Sequence, residues 1–67
     1  MLYPSIDKLL KVVDSKYSLA IVAAKRSKEM SINESYQIPL TKYKNQKNIG
    51  KALEEIYQGL IIINNDN

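Results

Sequence analysis

The chain has no cysteine, no histidine, no tryptophan and no phenylalanine. Without cysteine there is no disulfide, and without cysteine or histidine a structural zinc site has almost nothing to hold the metal. The same gaps remove the thiol nucleophile and the imidazole base that carry much of the chemistry near neutral pH. No apolar run approaches the roughly 18 residues of a membrane span. Met1-Leu2-Tyr3-Pro4-Ser5 has no basic segment leading into an apolar one, so no secretory signal is expected, and the cytoplasm is the expected compartment.

What is present is one small domain, 1–67, 45% hydrophobic, with ten Lys+Arg against seven Asp+Glu and a net charge of +3. A chain this short buries only about 60% of the surface its unfolded form exposes. Apolar burial then barely exceeds the cost of ordering, and small domains of this kind need a staple or a partner. With disulfide and zinc excluded, a partner chain is the expectation.

Apolar periodicity predicts three helices and an all-α fold, with a long loop before the third helix and an extended tail. In 6–13, Ile6, Leu9, Leu10 and Val13 recur at i, i+3, i+4 and i+7, behind Ser5 as N-cap. Asp14 and Ser15 interrupt the pattern, and either could cap the next helix.

The second helix, 16–30, has only Ser18, Lys25 and Glu29 in one polar stripe. Tyr17, Leu19, Ala20, Ile21, Val22, Ala23 and Ala24 cover nearly all the rest of its first two turns. A helix that is apolar almost all round is buried on several sides. Two other short helices cannot supply that cover, so this helix is expected to pack against another chain, and Ala20, Ala23 and Ala24 would allow a close backbone approach.

Residues 31–46 carry loop formers, among them Asn33, Ser35, Pro39 and Asn45, with Tyr36 and Tyr43 as possible anchors. So long a loop is either mobile or ordered by contact. The third helix, 48–58, places Ile49, Ala52, Leu53, Ile56 and Leu60 on one face, for which an in-chain core is the favoured reading. Lys51, Glu54, Glu55 and Gln58 fall on the other face, where the carboxylates are expected to be solvated and Lys51 to pair with Glu55. Gly59 suits the left-handed position that ends a helix. The tail, 60–67, opens with Leu60-Ile61-Ile62-Ile63, an apolar run that needs cover.

Chemistry-bearing motifs are sparse. Gly50-Lys51 lacks both the glycine five positions before and the hydroxyl residue after that a phosphate loop requires, since those positions are Asn45 and Ala52. Glu54 and Glu55 are adjacent and diverge on a helix. No catalytic or metal-binding residue is expected, and no cofactor. Lys25, Arg26 and Lys28 point in three directions, as solvated charges do. Arg26, beside Leu19 and Met30, is expected to aim a bidentate fork at a carboxylate across an interface.

The order Ser5-Ile6-Asp7-Lys8-Leu9-Leu10, Ser15-Lys16-Tyr17-Ser18-Leu19, Ala23-Ala24-Lys25-Arg26-Ser27-Lys28-Glu29, then Gly50-Lys51-Ala52-Leu53-Glu54-Glu55-Ile56 closed by Gly59 resembles the omega subunits of bacterial DNA-directed RNA polymerase. It covers about two-thirds of the chain. Ser27 stands where that family usually has Ala, and the loop 31–46 has no counterpart. The resemblance implies a non-catalytic subunit that clasps the beta-prime subunit, within a core that also holds beta and two alpha subunits, and promotes its assembly. It places the family's interface motifs on Ser15, Lys16, Tyr17, Leu19, Ala23, Ala24, Arg26, Ala52, Leu53, Glu54, Glu55 and Ile56. Val22 and Ile49 complete the expected partner interface. Some omega proteins bind guanosine tetraphosphate with help from a basic N-terminal arm. This chain has no basic residue before Lys8, so that ligand is not expected.

The alternative from another class is a small basic DNA-binding module. It needs a recognition helix with a coherent polar face, which the second helix lacks. On the interface reading, Leu19→Asp or Leu53→Asp should abolish incorporation into the polymerase while Lys42→Ala should not.

Overall fold

The structure is a computed structural model that describes residues 3–13 and 15–61. Three α-helices account for it, α1 (Ile6–Val12), α2 (Lys16–Asn33) and α3 (Asn48–Tyr57), with one turn of 3₁₀ helix at Leu40–Lys42. No strand occurs among the described residues, so the all-α expectation holds.

The helix starts follow hydroxyl caps. The Ser5 side chain accepts from the Lys8 N–H at 3.3 Å, and Ser15 accepts from the Ser18 N–H at 3.2 Å. Each satisfies one of the amide groups that a helix start leaves open. The cap of α2 is thus Ser15, while Asp14 lies outside the described residues. α1 is one residue shorter than the apolar pattern suggests, because Val13 turns extended at the C-cap while its side chain stays buried.

α2 runs three residues past Met30, with no Gly or Pro to stop it. It ends at Glu34, a non-glycine residue in the left-handed region (φ 50°, ψ 38°). α3 ends in a Schellman motif. Gly59 has φ +78°, its N–H donates to the Ile56 carbonyl at 3.1 Å, and the Leu60 N–H donates to the Glu55 carbonyl at 2.9 Å.

Both α2 and α1 pack on α3, α2 along more of its length. The core is Leu9 and Val13 from α1 and its cap, Leu19, Ala23 and Met30 from α2, and Ala52, Leu53 and Ile56 from α3. Leu10, Val22, Tyr36, Tyr57 and Ile61 pack against it from the edge. This is a thin core, and the molecule measures only 31 × 24 × 16 Å along its principal axes. Of the expected tail, Leu60 is exposed and Ile61 half-buried; positions 62–67 lie outside the described residues.

Candidate partner-binding site

The site is built on the junction of α2 and α3, which a charged brace holds. Arg26 of α2 donates from Nε to Glu55 Oε1 at 2.7 Å and from Nη2 to Glu55 Oε2 at 3.2 Å. Its Nη2 also donates to the Ser35 carbonyl at 3.2 Å, and Nη1 reaches Glu29. The fork expected to cross an interface is therefore filled inside the chain. A carboxylate 29 positions later in sequence reaches the planar guanidinium with both oxygens, the geometry Arg favours.

Glu55 has no exposed surface, and Glu54 keeps 1%. Their expected solvation is overturned. The loop from Gln37 to Lys47 folds back over this side of α3 and supplies the donors that make burial possible. Gln37 donates to Glu55 from its backbone N–H at 3.3 Å and from Nε2 at 3.1 Å, and the Tyr43 hydroxyl donates to Oε2. Glu54 accepts from the Lys44 N–H at 3.0 Å, from the Asn45 N–H at 2.7 Å and from Asn45 Nδ2 at 2.7 Å. A buried carboxylate without such partners would cost several kcal/mol. Two adjacent glutamates thus order the loop that carries no apolar pattern, and Tyr36 and Tyr43 do anchor it, edge to face at 5.9 Å. The expected Lys51–Glu55 pair gives way to a stronger partner. The Lys51 ammonium instead sits 5.1 Å from the Tyr36 ring centre and 5.7 Å from that of Tyr43.

Burial alone would push the Glu55 carboxyl up, but the hydrogen bonds from Arg26, Tyr43 and the Gln37 backbone outweigh it and hold the group below its ordinary value. The Arg26 guanidinium is pushed up, chiefly by its bond to Glu55. Burial first, and then donation to Glu55, pushes the Tyr43 hydroxyl up to about 12. All three shifts favour the arrangement seen: ionised Glu55, charged Arg26, neutral Tyr43.

With the brace in place, α1, α2 and α3 leave an open groove of about 450 Å³ between them. Leu19, Ala20, Ala23 and Leu53 form its floor and wall, with Ile6, Ile49 and Lys16 along the rim. Ile6 is 48% exposed and Ile49 42%, large apolar side chains left in water beside an apolar floor.

The structure brings together five of the expected interface residues here, Lys16, Leu19, Ala23, Ile49 and Leu53. Tyr17, 76% exposed, and Ala24 lie on the surface of α2 outside the groove lining. Val22 and Arg26 line a smaller cleft of about 350 Å³ with Gln37, Leu60 and Ile61. Ser15 is a helix cap, and Ala52, Glu54, Glu55 and Ile56 are enclosed by the chain itself. Leu19 and Leu53 are core residues at 4% and 7% exposure, so an Asp at either position tests folding rather than contact. Sequence reasoning missed Ile6 and Ala20 as groove residues. Ile6 heads the apolar stripe of α1, and Ala20 belongs to the small-residue run of α2, which was the available signal.

Comparison with known proteins places this helical domain. Residues 8–63 match the family model described as RNA polymerase Rpb6, which defines the class as an RNA polymerase subunit. A DNA-directed RNA polymerase subunit omega of Listeria welshimeri is 52% identical over 66 residues, 98% of this chain and 97% of its own length. That of Listeria monocytogenes gives the same values. The omega subunit of Lacticaseibacillus casei is 52% identical over 63 residues, 94% of this chain and 74% of its own length. The chain belongs to the omega-subunit family of DNA-directed RNA polymerase.

Proposed function

We propose that this chain is the assembly subunit of a transcribing polymerase, holding beta-prime through the α1–α2–α3 groove and stabilising the core with beta and two alpha subunits. It contributes no catalytic residue, takes no cofactor and works in the cytoplasm with the polymerase. The observation that carries this reading is the groove. It leaves Ile6 and Ile49 in water beside Leu19 and Leu53, in a chain whose own core is thin. A partner that covers this surface binds the folded state and not the unfolded one, and so stabilises the fold by mass action. The expected interface residues divide accordingly. Lys16, Tyr17, Ala24 and Ile49 are at the surface and available for contact, whereas Ala52, Glu54, Glu55 and Ile56 hold the shape of that surface from within.

A tagged chain expressed in its own host and captured from native lysate at moderate salt tests the reading. Recovery of beta-prime with beta and alpha in near-equal amounts is the expected result. Recovery of DNA without polymerase subunits would overturn it in favour of a DNA-binding module.

A further inference from the structure

The apolar groove does not end at Ile49. The same side chain lines a second cleft, of about 540 Å³, whose other walls are Lys44, Asn45, Gln46, Lys47 and Gly50. Apolar groove and basic cleft therefore share Ile49 as a wall residue, with the apolar lining on the α1–α2 side and the cationic lining at the start of α3.

Among the described residues the Lys44 and Lys47 ammonium groups make no ion pair, and the Glu54 carboxylate behind them is taken up by the Lys44 and Asn45 N–H groups. Glu54 and Glu55, the acids nearest in sequence, are sealed inside the chain. Among the described residues, the acids left at the surface are Asp7, Glu29 and Glu34, and Glu29 is paired with Arg26. The Lys44 ammonium is held 4.2 Å from the centre of the Tyr3 ring, a contact that fixes a long flexible side chain before any partner arrives. Lys47 is exposed at the head of α3 and makes no side-chain cap.

We infer that the segment of the partner seated here is bipartite, with apolar side chains in the groove followed by carboxylates in the Lys44–Lys47 cleft. This rests on the proposed function and adds to it the chemistry of the bound segment. An acidic protein segment fits better than nucleic acid. The Tyr3 ring, which carries the Lys44 ammonium on one face, packs edge to face with Tyr57, so it is engaged within the chain and not held out as a stacking platform for a base. A duplex would also have no reason to continue into an apolar groove.

The test uses the full chain and polymerase core enzyme prepared without this subunit. Binding is measured at 50 and 300 mM salt for wild type, Lys44→Glu/Lys47→Glu, Lys44→Gln/Lys47→Gln and, as a control on α2, Lys25→Glu/Lys28→Glu, with circular dichroism to verify the fold. Charged pairs at an interface set the salt dependence and add on the order of tenfold in affinity. Wild type should therefore bind about tenfold more weakly at 300 than at 50 mM. The Glu double variant should start about tenfold weaker and show little salt dependence, the Gln variant should fall between, and the α2 control should follow wild type. Unchanged binding of the Glu variant overturns the inference and leaves the assembly role standing. So does an equal loss in the α2 control, which would reduce the effect to net charge. Competition by a 20-base-pair DNA duplex that the Glu variant no longer feels would reassign the cleft to nucleic acid. Failure of wild type to bind core enzyme at either salt would overturn the proposed function itself, and the inference with it.

Discussion

Arg26 and Glu55 are 29 positions apart in sequence and joined by two hydrogen bonds, 2.7 and 3.2 Å, that tie α2 to α3. The pair is the pivot of the fold. It joins the two helices that flank the apolar groove, and it gathers Gln37 and Tyr43 of the loop onto the same carboxylate.

Removing the charge from Glu55 should therefore do more than lose one contact. Glu55→Gln leaves the Arg26 guanidinium with only the exposed Glu29 carboxylate as counter-charge and weakens the bonds from Gln37 and Tyr43, a defect that costs about 2–4 kcal/mol. For a domain of this size that is a fall of well over 10 °C in Tm. Arg26→Lys should rescue little, because an ammonium cannot present two parallel donors. Thermal melts followed by circular dichroism check both.

The stability of the isolated chain should depend on pH at both ends. Glu55 has a lowered pKa in the fold, so its contribution is present above the ordinary carboxylate range and is lost as pH falls through the lowered value. Tyr43 titrates at about 12 in the fold against 10.0 ordinarily. Its contribution is intact below pH 10 and is lost as pH rises towards 12, with a loss of about 1 kcal/mol by pH 11. Urea midpoints at pH 7 and 11 should fall further for wild type than for Tyr43→Phe, which has no hydroxyl to ionise.

Gly50 is the helical glycine whose replacement should hurt. A Cβ there would come within 2.6 Å of Asn45 Cβ and Cγ, and Asn45 is the residue that donates to Glu54 and to the Tyr3 carbonyl. Gly→Ala within a helix ordinarily stabilises by about 1 kcal/mol. Here the displaced Asn45 should reverse the sign, to a net loss of about 1–2 kcal/mol. An Asn45→Gly background, in which the clashing Cβ and Cγ are both gone, should recover part of the gain.

Glu34 offers the opposite case. It sits at φ 50° as the C-cap of α2, where an L side chain is strained by about 1 kcal/mol and a carboxylate opposes the helix dipole. Glu34→Gly should raise Tm by a few degrees, read by calorimetry, without altering capture of the polymerase.

The helices were legible because their signals are local. Ser5 and Ser15 cap, Leu9, Val13, Leu53 and Ile56 keep helical spacing, and Gly59 closes α3. The brace was not legible for a physical reason. Glu54 and Glu55 share the polar side of α3 with Lys51 and Gln58, and periodicity sorts residues by polarity, not by whether a loop will return to cover them. The hint was indirect: a 16-residue stretch with two tyrosines and two asparagines, too polar to pack and too long to be left loose. The groove was half legible. The apolar surplus of α2 marked a helix needing cover, but which of its residues the chain itself covers depends on where α1 and α3 lie.

The central claim is that the α1–α2–α3 groove is the surface that holds beta-prime. Ala20→Asp/Ile49→Asp tests it most directly, because both positions are exposed in the free chain and line the groove. Core enzyme prepared without the subunit is mixed with wild type or variant, and the masses of the complexes are read by native mass spectrometry. A full complement of subunit with wild type and almost none with the variant is the expected result, while circular dichroism of the two free chains agrees. Equal occupancy by the well-folded variant would contradict it and move the interface to another face of the molecule.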